Sequence, residues 1–227
     1  MDTNPLDNPA YAALSGPHAH VAERRGRALR YPADVNPIAA LPLDPTQQDW
    51  ADACELVGPG GSLFLPVVPV NPPPDWHVRL SMPGVQMVAE HMLDLESDEE
   101  AAELGASDVL DMLDLVGRTR PGPFAERTIE LGTYLGIRRH GRLVAMGGER
   151  LLVPGWTEIS AVCSDPQFRG QGLAGSLIIL LCNRIRARGR TPFLHVASDN
   201  TNAIRLYEHL GFVVRAEVMF TLLTAPK

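Results

Sequence analysis

Between residues 157 and 188 a strand, a glycine-rich turn and a long apolar helix follow one another without a break, and few folds accept that succession. Residues 157–163 alternate around small and β-branched side chains and read as a strand. The turn is Asp165-Pro166-Gln167-Phe168-Arg169-Gly170-Gln171-Gly172-Leu173. From Leu173 onward, Leu177, Leu181 and Ile185 continue an apolar stripe along one helix face, Gly189 is placed to end the helix, and Arg184, Arg186 and Arg188 suit the negative end of its dipole. Glycines at 170 and 172 let backbone N–H groups approach an anion, and the helix N-terminus adds unpaired donors. The expected occupant is a phosphate or pyrophosphate.

Two other phosphate-binding patterns fit less well. Gly170, Gly172 and Gly175 satisfy G-x-G-x-x-G, but a dinucleotide-binding domain should open with that motif, and here it comes late. The acidic residue due about 20 positions on is replaced by Arg190, Thr191 and Pro192. A Walker loop lacks its Gly-Lys-Ser/Thr.

Gln167-x-x-Gly170-x-Gly172, with Arg169 and Ala174 beside it, resembles the acyl-CoA signature Q/R-x-x-G-x-G/A of the GNAT acyltransferase superfamily. Downstream, Asn200-x-x-Ala203-x-x-Leu206-Tyr207-x-x-x-Gly211-Phe212 is similar to that superfamily's second signature, in the same order and spacing. The resemblance covers residues 83–227 and implies an α/β (α+β) fold, a mixed, largely antiparallel sheet flanked by helices, here with an N-terminal extension over residues 1–82. It implies acetyl-CoA as donor cosubstrate and direct transfer to a primary amine of a small molecule, amino acid or peptide. It places the backbone amides of Ala161, Val162 and Cys163 at the thioester, where the sheet splays. Gln167, Arg169, Gly170, Gln171, Gly172, Leu173 and Ala174 would hold the pyrophosphate, Asn200 and Asn202 would face the cofactor, and Tyr207 would stand beside the sulfur as general acid.

Acyl transfer from a thioester to an amine needs the amine deprotonated, the oxyanion held and the leaving thiolate protonated. A phenol of pKa about 10 can protonate a thiolate of pKa about 8 to 9 as charge develops. Glu158, on the strand before the turn, is the chosen base, with Glu149 its rival and ordered water a third route. Spacing alone would make Tyr207 a core residue beside Ala203, Ile204 and Leu210, Asn200 and Asn202 helix caps, and Cys163 a packing residue. A non-catalytic acyl-CoA-binding module is the alternative function.

The remaining elements expected are strands over residues 85–91, 133–139, 142–152, 191–197 and 212–222, and helices from Ser97-x-x-Glu100 to near Gly105, from Ser107 with Val109, Met112, Leu113 and Val116 on one face, and around Asn202. Residues 1–82 are proline-rich, so long strands are not expected there, although Trp50, Phe64 and Trp76 can be buried and residues 47–57 can form a helix ended by Gly58-Pro59. Disorder is expected over the first ten residues. At 45% hydrophobic and net charge -7 the chain is globular in class. Acids dominate residues 1–110 and arginines residues 111–227, which suits a phosphate-rich cofactor or simply reflects solvated faces. The acidic stretch over residues 94–116 hints at a cationic acceptor or is only a solvated helix face. Cys54, Cys163 and Cys182 have no C-x-x-C spacing, and His18 and His20 lie near no pairing cysteines, so neither disulfides nor a metal site are expected. No leader or spanning segment is read, so the cytoplasm is the expected compartment, with no nucleic-acid or membrane partner and with a homodimer left open.

Overall fold

The computed structural model describes residues 4–67, 70–90 and 101–227, the side chain of residue 67 excepted. Two Asn-Pro pairs open the chain. The Asn4 side chain accepts from the Leu6 N–H at 2.9 Å to cap a 3-10 turn, Pro5–Asp7, and Asn8 caps helix α1 (Pro9–Leu14). Asparagine at the N-cap and proline at the first helical position are the favoured residues there. Residues 4–10, expected to be disordered, are therefore structured, with Leu6 and Ala10 buried. Strands β1 (Glu23–Arg25), β2 (Ala28–Arg30) and β3 (Ala39–Ala40) form a small antiparallel sheet. Helix α2 (Gln47–Val57) starts at a Thr46–Asp49 capping box and ends at Gly58, as the sequence predicts.

The main sheet draws on β4 (Ser62–Val67), β5 (His77–Ala89), β6 (Ala102–Glu103), β7 (Tyr134–Arg139), β8 (Arg142–Val153), β9 (Trp156–Ser164), β10 (Thr191–Ala197) and β11 (Phe212–Thr224). Helix α3 (Val109–Thr119) precedes β7, α4 (Leu173–Ala187) joins β9 to β10, and α5 (Thr201–His209) joins β10 to β11. The spatial order is β4-β11-β5-β10-β9-β8-β7-β6, and every pairing is antiparallel except that of β9 with β10. This is the mixed, largely antiparallel sheet with flanking helices that the motifs imply.

The N-terminal third is tied into that sheet. β4 is a six-residue strand in the region where long strands were not expected; Pro66 is tolerated because β4 lies at the sheet edge. β5, expected from residue 85, begins at His77. Its Pro83 carbonyl accepts from Ser198 N–H, just past the end of β10, so the missing proline N–H costs no ladder bond. The division expected between residues 82 and 83 falls inside this strand.

The Ser97-x-x-Glu100 capping box lies outside the described residues. Just after it, where the expected helix would still be running, β6 pairs instead with β7. α3 starts at Val109, and Ser107 sits within a 3-10 turn whose start is held by the Gly105 N–H donating to Asp108 at 2.9 Å. Met112 and Leu115 are its buried residues, a face shifted from the one expected.

Alternate residues along the strands serve two cores. Met87 and Leu194 pack with Leu177, Leu181 and Ile185 of α4 and with the α5 side chains Ile204 and Leu206. Their neighbours Val88 and Phe193 face the other way, onto Leu6, Leu14, Tyr31 and Ile38. Helix α3 packs through Met112 and Leu115 against Tyr134, Met146 and Ala161. The sheet is thus a wall with α4 and α5 on one side and the N-terminal segment on the other. Among the described residues no helix is long and apolar enough to cross a membrane.

Candidate active site

β9 and β10 run side by side only from Thr191 opposite Trp156 to Phe193 opposite Glu158. β9 then continues to Ser164 bonded to β8, and β10 to Ala197 bonded to β5, so the sheet opens between them. A bulge accompanies the opening: Met146 pairs with Cys163 and Gly148 with Ser160, leaving Ala161 and Val162 against the single residue Gly147. Ala161 has φ 55, a left-handed value rare for a residue with a side chain, and such bulges re-aim peptide groups out of the ladder.

The turn after β9 is built from its first residue. Asp165 Oδ1 accepts from the Gln167 N–H at 2.9 Å, and its carboxylate is ion-paired to Arg118 of α3, which fixes the turn from outside the loop. Gly170 and Gly172 both have φ 78, and Gly172 is the N-cap of α4 with no side chain satisfying the first-turn N–H groups. Those donors, and the helix dipole behind them, can hold a phosphate. A side chain at Gly172 would meet open space, so glycine is required there by the backbone conformation rather than by crowding.

A cavity of about 870 Å³ joins this loop to the opening. Of the residues selected from the sequence, Ala161, Val162, Cys163, Arg169, Gly170, Gly172, Leu173, Ala174, Asn200, Asn202 and Tyr207 line it, whereas Gln167 and Gln171 do not. Asn200 also caps α5, accepting from Ala203 N–H at 3.3 Å, so the capping role does not take it out of the cavity lining. Tyr207 packs on Phe212 with ring centroids 5.9 Å apart, and burial pushes its phenol up to about 12. It stays protonated at neutral pH. Burial likewise pushes the Cys163 thiol up, which suits packing and not nucleophilic attack.

Glu158 stands apart from this lining. Its side chain is 0% exposed and is gripped by Arg150, with Nε to Oε2 at 2.8 Å and Nη2 to Oε1 at 2.6 Å, and by His195 Nδ1 to Oε1 at 2.7 Å. Burial alone would raise its pKa, but the Arg150 charge and the hydrogen bonds from Arg150 and His195 outweigh burial and hold it at about 2. A carboxylate so placed has neither the access nor the basicity to take a proton from an ammonium. Glu149 is also outside the lining, facing a separate cavity of about 460 Å³ and ion-paired to Arg188.

A profile for the family described as FR47-like protein matches residues 134–221, from β7 into β11. A solved structure of a GNAT-family protein from Novosphingobium aromaticivorans shares 36% sequence identity and a TM-score of 0.91, covering 99% of this chain and 100% of that one. The chain belongs to the GNAT family. Mycothiol acetyltransferase from Acidothermus cellulolyticus is 30% identical over 159 residues, 66% of this chain and 48% of that protein. N-alpha-acetyltransferase RimI from Mycobacterium tuberculosis is 34% identical over 82 residues, 35% of this chain and 51% of that protein. The chain spans about half the length of these two relatives.

In this GNAT chain the two signatures account for the side of the cavity formed by the glycine-rich loop, α4 and α5 and leave the other side unannounced. There the structure adds Phe64, Pro66, Met82 and Phe220 as apolar wall, and Arg150 and His195 as polar lining. The last two belong to a row that crosses five strands. Arg215 Nη1 donates to Gln86 Oε1 at 2.9 Å, Gln86 Nε2 donates to the Leu6 carbonyl at 2.9 Å, and Gln86 Nε2 faces His195 Nε2 at 3.1 Å. These partners orient the Gln86 amide, so His195 accepts at Nε2 and carries its proton on Nδ1, toward Glu158. Arg215 ends the row on Asp7. No sequence spacing could have revealed it, since Arg150 reaches Glu158 through a second bulge, residues 150 and 151 against residue 158.

Proposed function

We propose that this protein is an acetyl-CoA-dependent N-acetyltransferase that transfers directly to a primary amine, with residues 83–227 supplying the donor side and residues 1–82 helping to complete the acceptor side. The observation that carries the reading is one continuous cavity that joins the uncapped N-terminus of α4 to the opening between β9 and β10 and is lined by Tyr207. The pyrophosphate would take the amides around Gly170 and Gly172, with Arg169 beside them. The thioester would lie along Ala161 to Cys163, whose bulged amides can meet the developing oxyanion.

In the transfer the acceptor nitrogen bonds to the acetyl carbon, the C–S bond breaks, the nitrogen loses a proton and the thiolate gains one. Tyr207 gives the proton to sulfur; its phenol, raised to about 12, is protonated throughout the working range. Glu158 is reassigned from base to positioning residue. Among the described lining residues His195 is the one imidazole, and its Nε2 lone pair takes the amine proton once Gln86 yields. Glu158, accepting from Nδ1, holds the required tautomer.

Calorimetric titration with acetyl-CoA followed by thiol release over a panel of amines tests the function. Binding with release establishes the enzyme, and binding without release from any amine favours a sensor. Tyr207→Phe should lower kcat by about a hundredfold while acetyl-CoA affinity stays near wild type. An unchanged rate removes Tyr207 from the mechanism.

A further inference from the structure

The charge lining the cavity narrows the acceptor. Among its described lining residues are Arg120, Arg150, Arg169 and His195, but no Asp or Glu. Such a lining repels polycationic amines, which need acidic walls. Arg169 belongs to the loop at the donor end, and Arg150 is engaged through Nε and Nη2 by Glu158. Neither the Arg120 nor the Arg169 side chain has an ion pair or hydrogen bond to a described residue, and of the two Arg120 lies outside the glycine-rich loop, at the end of α3.

Its placement is unusual as well. Arg120 follows the last turn of α3 with φ 50 and ψ 58, tied by its N–H to the Val116 carbonyl at 2.8 Å. Helices ordinarily put glycine or asparagine in that conformation. Among the described residues the non-glycine residues of positive φ are Arg120, Ala161 and His140; the first two line the cavity, and the third turns the hairpin between β7 and β8. An arginine kept where its backbone is disfavoured, in front of Pro121-Gly122-Pro123 and with no partner among the described residues, is free to meet a ligand. Beyond the opening, Phe64 stacks near Phe220 with ring centroids 6.5 Å apart, and Met82 and Pro66 extend that apolar wall.

We propose that the acceptor is an amine that also carries a carboxylate and an apolar body, in its simplest form a free apolar amino acid, with the carboxylate paired to Arg120. This rests on the acyltransferase reading above. Arg120 is then a specificity-determining residue, while the reacting amine is handled by His195 and Tyr207.

Thiol release from acetyl-CoA would be measured with phenylalanine and leucine, with their carboxamides, with phenethylamine and with a polyamine. The wild-type kcat/KM for the amino acids should exceed that for the carboxamides by about tenfold or more, through KM. Arg120→Asn keeps a side chain that accepts left-handed backbone and should bring the ratio toward one, with the KM for acetyl-CoA unmoved. Equal rates for acid and amide in the wild type, preference for the polyamine, or transfer to none of these amines despite acetyl-CoA binding would each overturn the acceptor assignment alone. So would a shift of the acetyl-CoA KM in the variant, which would give Arg120 to the donor. Failure to bind acetyl-CoA would overturn the acyltransferase reading with it.

Discussion

Glu158 shows how far a residue's role depends on register. Read along the chain it is a strand glutamate three residues before the splayed segment; in the sheet it meets Arg150 and His195 and loses all solvent contact. Replacing it by glutamine would leave the Arg150 charge buried with no counter-charge, a change that typically costs about 3–5 kcal/mol. Glu158→Gln should therefore lower Tm by on the order of 10 °C by calorimetry. The pH dependence has a definite sign. The folded pKa, about 2, lies below the ordinary 4.5, so the pair's contribution is present above pH 4.5 and is lost as pH falls toward 2. The variant should lack that part of the acid destabilisation. Tyr207, Gly170, Gly172 and Asn200 were legible in the sequence because local chemistry fixes them: caps, left-handed glycines, a phenol at set spacing in a helix. Arg150, His195 and Gln86 were not, because each acquires its partner only across strands.

At the scale of elements the loop and helix that would seat the pyrophosphate act as one piece. The α4 stripe of Leu173, Leu177, Leu181 and Ile185 is fully buried, as its period predicts, so the helix N-terminus cannot shift without disturbing the core. Gly172 joins it to the loop at φ 78, where an L-residue costs about 1–2 kcal/mol. Gly172→Ala should thus weaken acetyl-CoA binding about tenfold in a calorimetric titration, the added methyl meeting no neighbour. Wild-type affinity would mean that these amides do not hold the cofactor. Elements with a strong local signal, α2, α4, β7 and β8, sit where the sequence places them. β4, β5 and α3 depart from expectation because sheet edges, a neighbouring strand's length and the tilt of a packed helix decide them, and none of these is a local property.

For the whole molecule, the N-terminal third cannot be treated as an appendage. It supplies β4 and the first half of β5, and it covers Val88, Leu151, Val153 and Phe193, which would otherwise form an open apolar face. A chain cut to residues 83–227 should be insoluble or lack a cooperative thermal transition. A soluble truncated chain with a sharp transition in calorimetry would show that the C-terminal part folds alone. The sequence disclosed the family's half of the fold through its two signatures and was silent on this coupling, because proline content reports where regular structure is interrupted and not where the chain packs.

The position of β5 has a consequence for synthesis. Its two neighbours in the sheet are β10 and β11, so a strand completed by residue 89 must wait for residues 191–197 and 212–224 before either edge is paired. Until those residues have been made a nascent chain carries this apolar segment without its lasting partners, and the contacts that finish the sheet join strands far apart in sequence. Chains of that topology fold slowly and depend on protection from premature association until the last strand leaves the ribosome.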